Sequence, residues 1–211
     1  MADLLFSTGT LEKVPLPDAD VYYLDNIELG SSAEEILRRL ISDTPWRQES
    51  VIVRGRQFAQ PRLVAWYGDR ESAYSYSGIN LAPLPWTDLL LVTRRRVEEV
   101  AGSSFNSVLL NYYRDNRDSI GFHSDDEPEL GRRPVIASVS LGDERTFVLR
   151  HKRLKVLKPV RLLLGSGSFL LMKGETQRHW KHGIAKETRF CGPRVNLTFR
   201  RIIPSPGRFG R

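Results

Sequence analysis

The sequence predicts a mostly β, α+β fold in which two helices flank a double-stranded β-helix, or jelly-roll, core. Two observations carry this prediction. Eight short segments rich in β-branched and aromatic residues lie between Ser107 and Ile202, and two amphipathic helical stretches precede them. Many short strands separated by polar turns favour a double-sheet jelly roll over a parallel α/β sheet, in which strands alternate with helices. The 211 residues are enough for one domain with a sizeable core.

The chain before the first helix has no clear periodicity. Residues 1–30 carry scattered Pro, Asp and Gly between short apolar patches, so we expect an extended and partly disordered N-terminal extension. The first helix is predicted from Ser32, which forms a capping box with Glu35, to the residue before Pro45. Apolar side chains at helical spacing would pack one face of it on the core.

A second helix is predicted from Thr87 or Asp88 to Val100, with Gly102 as its stop signal. Its cluster Arg94–Arg96 is expected to face solvent or a phosphate backbone. Between the helices, the β-rich pieces Val51–Val53 and Leu63–Tyr67 indicate a hairpin or a long loop. Residues 31–106 therefore form one region with two helices and a hairpin.

The predicted core covers residues 107–203, and the basic tail 204–211 is expected to be loose. Its eight strands are Ser107–Tyr113, Ile120–His123, Val135–Leu141, Thr146–Arg150, Val160–Leu164, Phe169–Met172, His179–Ile184 and Arg194–Ile202.

Composition and charge narrow the class of protein. The formal net charge is +7 and the pI is near 9.7, so the surface field attracts polyanions such as nucleic acid. The sequence has no apolar run long enough to span a membrane and no signal-peptide pattern, so we expect a cytoplasmic protein if the source is bacterial and a nuclear one if it is eukaryotic. The single cysteine, Cys191, rules out an internal disulfide and is expected to be a packed, unreactive side chain.

Histidines and a carboxylate indicate a metal site. His123 and Asp125 lie two residues apart, so on a strand both side chains point to the same face and reach one ion. A histidine from the His179–His182 segment would complete the set. Two histidines and one carboxylate leave three positions open, as in non-haem iron(II) oxygenases, where a 2-oxoacid and dioxygen bind. A surface histidine beside an acidic turn is the competing interpretation of His123 and Asp125.

The last predicted strand supplies an anion site. On Arg194–Arg200 the polar side chains at alternate positions share one face, and the apolar ones between them share the other. Burying a guanidinium without an anionic partner is costly. A dicarboxylate such as 2-oxoglutarate fits this strand, because an arginine binds a carboxylate through two parallel hydrogen bonds.

Together these segments resemble the AlkB family of iron(II)- and 2-oxoglutarate-dependent dioxygenases, and especially its animal DNA-repair members. The resemblance extends from Tyr67 to Ile202. The matching motifs are Tyr67–Asp69, Tyr74–Gly78, Leu109–Tyr113, His123–Glu127, Ile136–Ser140, Trp180–His182 and Arg194–Arg200.

The resemblance implies a cofactor set and the residues that hold it. Iron(II) would be bound by His123, Asp125 and His182, with 2-oxoglutarate as cosubstrate and dioxygen as oxidant. Arg200 would pair with the distal carboxylate of 2-oxoglutarate, while Arg194 would lie nearer the metal and share the catalytic centre. The further cosubstrate contacts would be Asn111, Tyr113 and Asn196. His179 would point away from the metal, and His151, in a basic run, would be exposed.

The resemblance also implies the substrate and its contacts. The reaction would be oxidative dealkylation of 1-methyladenine or 3-methylcytosine in DNA, with residues 31–106 as the nucleotide-recognition region of a monomer. Tyr74 and Tyr76 would form the wall of the base pocket, and Asp126 and Glu127 would favour a cationic lesion. Arg54 and Phe58 would form a hairpin wedge that enters the base stack. The alternatives are the same chemistry on RNA or on a protein, and a catalytically inactive module that only binds nucleic acid.

Overall fold

The protein is described by a computed structural model for residues 9–53, 55–72, 74–76 and 79–203. These residues form a mostly β structure with three α-helices. The helices are α1 (Ala33–Asp43), α2 (Asp88–Ala101) and α3 (Thr176–His179). The strands are β1 (Glu12–Val14), β2 (Asp20–Leu24), β3 (Ser50–Val53), β4 (Arg56–Ala59), β5 (Leu63–Gly68), β6 (Tyr74–Tyr76), β7 (Ile79–Leu81), β8 (Ser107–Tyr113), β9 (Ile120–His123), β10 (Ile136–Gly142), β11 (Arg145–His151), β12 (Val160–Leu164), β13 (Phe169–Lys173), β14 (Trp180–Ile184) and β15 (Arg194–Arg200).

Two antiparallel sheets form the predicted jelly roll. The major sheet has seven strands in the order β1-β2-β13-β10-β15-β8-β5, and the minor sheet has four in the order β12-β11-β14-β9. The eight strands from β8 to β15 are shared equally between the sheets, with β8, β10, β13 and β15 in the major sheet and β9, β11, β12 and β14 in the minor sheet, as in a double-stranded β-helix. The fold class predicted from the sequence is confirmed.

The helices begin and end where capping chemistry places them. The Ser32 hydroxyl accepts a hydrogen bond from the backbone N–H of Glu35, and the Thr87 hydroxyl accepts one from Leu90. Gly102 ends α2 in the left-handed conformation that glycine adopts without strain. None of the helices in the described residues combines the length and apolarity that crossing a bilayer requires.

The molecule has two apolar layers, one on each side of the major sheet. Ile36 of α1 and Val97 of α2 pack against the apolar face of β15, which carries Leu197 and its neighbours at alternate positions. Between the two sheets, Leu149 and Trp180 of the minor sheet pack against the major sheet. The polar face of β15 therefore points between the sheets, where the minor sheet covers it.

The N-terminal segment differs from the predicted extension. β1 and β2 belong to the major sheet, where β2 pairs with β13 along its whole length. Ile27 and Leu29, which follow β2, are buried against the helices. The segment is short and interrupted by Pro and Gly, so its sequence shows little periodicity, and its order comes from pairing with strands that are distant in sequence.

The region between the helices also differs from the prediction. The hairpin is formed by β3 and β4, with Val53 opposite Arg56. Leu63–Gly68 instead pairs with β8 as the edge of the major sheet. Arg94, expected to face solvent or phosphate, lies on Trp86 and pairs with Asp69 and Glu98. Its charge is already compensated within the protein.

Candidate active site

The predicted metal ligands meet at the end of the minor sheet. His123 and His182 are directly opposite each other on β9 and β14, and their ring centroids are 4.5 Å apart. Asp125 follows β9, and its Oδ2 lies 3.6 Å from Nε2 of His182. Each of the three residues offers one ligand atom, and these atoms lie within 4.8 Å of one another. The cluster therefore has the composition and size of a site for one cation.

Each histidine presents a nitrogen lone pair to the cluster. Nδ1 of His123 lies 2.9 Å from the carbonyl oxygen of Gly121, which can only accept, so Nδ1 carries the proton and Nε2 is free. Burial lowers the pKa of His182 to about 3, so its ring is neutral at physiological pH. His182 is also held by Phe147, whose ring stacks on it with centroids 5.2 Å apart.

Asp125 is a buried carboxylate with two fixed neighbours. Its backbone N–H donates to Oε1 of the buried Gln177, and Nη2 of Arg200 donates to its Oδ1 at 2.6 Å. Burial alone would raise the pKa of Asp125, but Arg200 and the two cluster histidines lower it below its usual value. Asp125 is therefore ionised and oriented toward the cluster.

The polar face of β15 leads away from this cluster between the sheets. Asn196 donates to the hydroxyl of Ser138 and to the carbonyl of Val139, and it accepts from Thr198. Asn111 on β8 is directly opposite Asn196 and accepts from Nε of Arg62 at 2.7 Å. These groups line a polar path within an otherwise apolar core.

Arg194 lies at the inner end of that path. Its side chain is buried, and its Cζ lies 5.1 Å from the ring centroid of Tyr113. Nη2 donates to the hydroxyl of Ser140, but Nε and Nη1 are buried with no hydrogen-bond partner among the described residues. Burial lowers the pKa of Arg194 to about 10, which leaves the guanidinium charged at neutral pH. Buried charged donors without partners are costly, so this geometry fits an anion.

The predicted positions of the two arginines are wrong. Arg200, expected at the distal carboxylate, touches Asp125 and so lies beside the metal cluster. Arg194, expected nearer the metal, lies six residues before Arg200 on the same extended strand, so the Cα atoms of the two arginines are about 20 Å apart. The alternation in the sequence predicted that the two side chains share a face. It could not predict which end of the strand lies next to the metal ligands, because the packing of the two sheets determines that.

The predicted base-pocket residues are only partly described. Asp126 and Glu127 are exposed just after the cluster, and Asp126 pairs with Nζ of Lys152 at 3.0 Å. Phe58 on β4 is 51% exposed. Arg54 lies outside the described residues. The backbone of Tyr74 and Tyr76 lies in β6, but the placement of their side chains lies outside the described part as well.

A second group of ligand-type side chains, Asp18, His151 and His179, lies apart from the first. His151 was expected to be exposed, but it is buried against Trp180. Its Nδ1 accepts from the backbone N–H groups of Arg153 and Leu154, so the proton sits on Nε2, which faces Asp18 at 3.4 Å. Because its inward nitrogen is protonated, His151 is unsuited to bind a metal. Its place in the core explains why the basic run around it misled the prediction.

Three side chains at the site, of which Gln177 and Arg145 are buried, had no recognisable pattern in the sequence. Gln177 supports Asp125, and Arg62 supports Asn111. Arg145 is fully buried, donates to three backbone carbonyls, and has its Cζ 5.6 Å from the ring centroid of Tyr113. No local motif distinguishes such residues from surface ones, and only the long-range sheet pairing brings them together.

Comparison with known proteins gives consistent matches. The 2OG-Fe(II) oxygenase superfamily profile matches residues 20–200. The chain is 44% identical to human alpha-ketoglutarate-dependent dioxygenase alkB homolog 3 over 82% of its own length and 63% of that protein. It is 42% identical to mouse DNA oxidative demethylase ALKBH2 over 83% of its length and 77% of that protein. The chain thus spans less than two thirds of the alkB homolog 3 proteins.

Solved structures share the fold at low sequence identity. "The structure of OsALKBH1" superposes with a TM-score of 0.63 at 17% identity, covering 91% of this chain and 100% of that one. A prolyl hydroxylase from Trichoplax adhaerens gives a TM-score of 0.59 at 14% identity, covering 86% and 83% of the two chains. At these identities the likeness concerns the fold alone.

Proposed function

We propose that this chain, which belongs to the 2OG-Fe(II) oxygenase superfamily and within it to the AlkB family, oxidatively removes alkyl groups from N-alkylated bases in nucleic acid. The proposal rests on the combination of two sites along the polar face of β15. A His–Asp–His cluster lies at one end of β15, and a buried arginine with unpaired donors lies at the other.

Iron(II) fits the residues of the cluster. Two neutral imidazoles and one ionised carboxylate, provided by His123, His182 and Asp125, are the donor set of the facial triad of non-haem iron oxygenases. Each ligand is fixed by a neighbour in the protein, namely Gly121, Phe147 and Arg200. Such outer contacts set tautomer and orientation and are part of a functional metal site.

2-Oxoglutarate fits the path between Arg194 and the cluster. Its distal carboxylate would satisfy the two unpaired donors of Arg194, since carboxylates bind guanidinium groups through paired hydrogen bonds. Asn111, Tyr113 and Asn196 line the same path. The 2-oxoacid end would then lie near the cluster, beside Arg200, whose Nε is also buried without a partner among the described residues.

Iron(II) with bound 2-oxoglutarate and dioxygen supplies the oxidation, in which carbon dioxide and succinate are released and the N-alkyl carbon is hydroxylated. The protein binds and orients the reactants. Arg194 and Arg200 hold the two ends of the cosubstrate, and Arg200 also keeps Asp125 charged and in place. The buried ring of Phe147 covers His182 and keeps water from that side of the cluster. The hydroxylated base then releases an aldehyde and regains its intact ring nitrogen.

The substrate class is inferred from relatives and charge. The mouse relative is a DNA oxidative demethylase by name, and this chain is 42% identical to it. The net charge of +7 suits a polyanionic substrate. We therefore propose alkylated DNA as the substrate, with alkylated RNA as the alternative that the same site would accept.

The test is a product assay with three types of substrate. Iron(II) and 2-oxoglutarate are added without oxygen, air is admitted, and succinate and repaired base are measured on 1-methyladenine in single-stranded DNA, duplex DNA and RNA. We expect repaired adenine on at least one nucleic acid. Nucleic-acid binding without any oxidation product on all three substrates would contradict the proposed reaction and indicate an inactive binding module.

A further inference from the structure

The outer face of the minor sheet carries chemistry that the active site does not use. Along β14 the side chains alternate, so Trp180 and His182 are buried between the sheets while Lys181 is exposed on the opposite face. Arg150 of β11 is directly opposite Lys181 in the strand register. These two cations are therefore cross-strand neighbours on the outer surface.

Phe122 lies on the same face, at the edge of the sheet. It belongs to β9, and β14 separates it from Arg150 of β11. Cζ of Arg150 nevertheless lies 3.9 Å from the ring centroid of Phe122. The arginine side chain must cross a distance of two strand spacings, about 10 Å. Gly183, the outward position of β14 beside Phe122, has no side chain to block that crossing.

Close backbone packing explains why position 183 is glycine. A Cβ atom there would lie 2.9 Å from the carbonyl oxygen of Ile120. The glycine therefore lets β9 pack closely against β14, and it leaves room over β14 for the side chain of Arg150. Cζ of Arg150 lies over the ring of Phe122, and the N–H groups at the rim of the exposed guanidinium can bind a ligand.

The cations of this face are not neutralised within the protein. Arg150, Lys181 and Arg161 are exposed, and no carboxylate in the described part of the chain pairs with any of them. Elsewhere on the surface, exposed arginines such as Arg38 and Arg117 have acidic partners. Like charges directly opposite each other on neighbouring strands are destabilising. Arg150 and Lys181 share such a pair of positions, which favours an external anion.

We propose that this face binds the phosphodiester backbone of the nucleic-acid strand whose base occupies the active site. The face, here called the outer platform, consists of Phe122, Arg150, Arg161 and Lys181. The proposal rests on the proposed function for the nature of the partner. It adds a binding surface on the side of the sheet opposite the metal cluster.

The path from the site to the outer platform is short. β9 is the last strand of the minor sheet, so nothing in that sheet lies beyond it. His123 and Phe122 are consecutive residues on opposite faces of this strand. A flexible strand leaving the cluster can therefore pass over the edge of β9 and reach Arg150 and Lys181 within a few nucleotides. A guanidinium and an ammonium then contact successive phosphates.

The test measures binding and does not depend on catalysis. The full chain, without iron or 2-oxoglutarate, is titrated into a labelled, unmodified single-stranded oligonucleotide at several potassium chloride concentrations. Arg150→Gln and Lys181→Gln are compared with Arg39→Gln. Arg39 is an exposed residue of α1, which packs on the far side of the major sheet. Arg39→Gln therefore removes one positive charge far from the outer platform. Thermal melting verifies that all three variants fold.

We expect each platform variant to reduce the slope of log affinity against log salt by about 0.7. A variant that has lost one phosphate contact releases fewer counterions from the nucleic acid when it binds. The double variant should lose about twice that, and Arg39→Gln should keep the wild-type slope. Arg150→Lys should retain the slope, because a lysine keeps the charge at this position. Platform variants with the same slope as Arg39→Gln would overturn the proposal.

Two further outcomes separate this proposal from the proposed function. If the platform variants show the smaller salt slope but the wild type never demethylates a base, the platform proposal is supported and the proposed enzymatic function is wrong. If it demethylates while the platform variants bind like Arg39→Gln, only the platform fails. Vesicles of anionic phospholipid serve as a second probe, and a platform effect on vesicles alone would assign the face to a membrane surface and refute a nucleic-acid partner.

Discussion

Arg194 and Arg200 carry the same side chain on the same face of one strand, yet their surroundings give them different tasks. Arg200 donates to Asp125 and is partly compensated, whereas Arg194 is buried with two donors unpaired among the described residues. Strand periodicity predicted the shared face. It could not predict which arginine lies beside the metal ligands, because that depends on where β9 and β11 cover β15. The same limit applies to His151, whose burial depends on Trp180 and Asp18.

Replacing Arg194 should change stability and binding in opposite directions. An unpaired buried charge is costly, so Arg194→Met should leave the free protein as stable as the wild type or more stable. The same variant should weaken 2-oxoglutarate binding tenfold or more, since removing one partner of a desolvated charge pair costs about 2–5 kcal/mol. Denaturant unfolding and calorimetric titration of the iron-loaded protein measure the two effects.

Arg194→Lys should restore binding only in part, because an ammonium cannot form the paired hydrogen bonds of a guanidinium. Arg201→Met is the matched control, since Arg201 is exposed and its Nη1 donates to Ser104. Unchanged 2-oxoglutarate affinity in Arg194→Met would remove this arginine from the cosubstrate site.

The two histidine groups should behave differently toward iron. His123→Ala, Asp125→Ala and His182→Ala should each abolish turnover and weaken iron(II) binding, because each removes a ligand. His151→Ala should keep iron binding but lose about 1–3 kcal/mol of stability, since it removes a buried ring that packs on Trp180 and accepts two backbone hydrogen bonds. Anaerobic iron(II) titration decides between the groups, and loss of iron binding in His151→Ala with retention in His182→Ala would reverse the assignment.

Among the helices and strands, the sequence predicted those that are stabilised by interactions between residues close together in the chain. The caps of α1 and α2 and the alternation of β15 were visible in the sequence, and the structure confirms them. β1 and β2 were not recognised as strands, and β5 was assigned to a hairpin or loop, because β2 and β5 pair with β13 and β8, which are remote in the chain. The long-range pairing that adds them to the major sheet has no local signature.

The N-terminal segment should contribute to stability. Ile27 is 4% exposed in the layer between the helices and the major sheet, so Ile27→Ala should destabilise the protein by about 2–5 kcal/mol. Glu28→Ala, at the exposed neighbouring position, is the matched control and should change stability little. Denaturant unfolding would refute the account if both variants unfolded like the wild type, as a disordered extension requires.

The β3–β4 hairpin provides a test of how duplexes are opened. Phe58 is 51% exposed, which suits an apolar wedge that enters the stack vacated by a flipped base. Phe58→Ala should impair repair of 1-methyladenine in duplex DNA much more than in single-stranded DNA, because only a duplex must be held open. Arg56→Ala, on the same strand, should weaken both substrates alike. Equal losses in duplex and single strand for Phe58→Ala would contradict the wedge.

At the scale of the whole molecule, three layers divide the work. The helices stabilise the apolar face of the major sheet, the two sheets enclose the polar face of β15, and the outer face of the minor sheet carries exposed cations. The space between the sheets is asymmetric, with a fixed cation, Arg194, on one side and the ligand cluster on the other. This arrangement accounts for a dicarboxylate cosubstrate held at one end and oxidised at the other.

The coupling of base dealkylation to 2-oxoglutarate turnover can be measured as the stoichiometry of a single reaction. The protein is supplied with iron(II), 2-oxoglutarate, dioxygen and a single-stranded oligonucleotide that contains 1-methyladenine. Succinate, formaldehyde and unmodified adenine are then measured together. The account predicts equal amounts of all three, and none when 2-oxoglutarate is omitted or Asp125 is replaced by alanine. Succinate formed without any loss of the methyl group would contradict it.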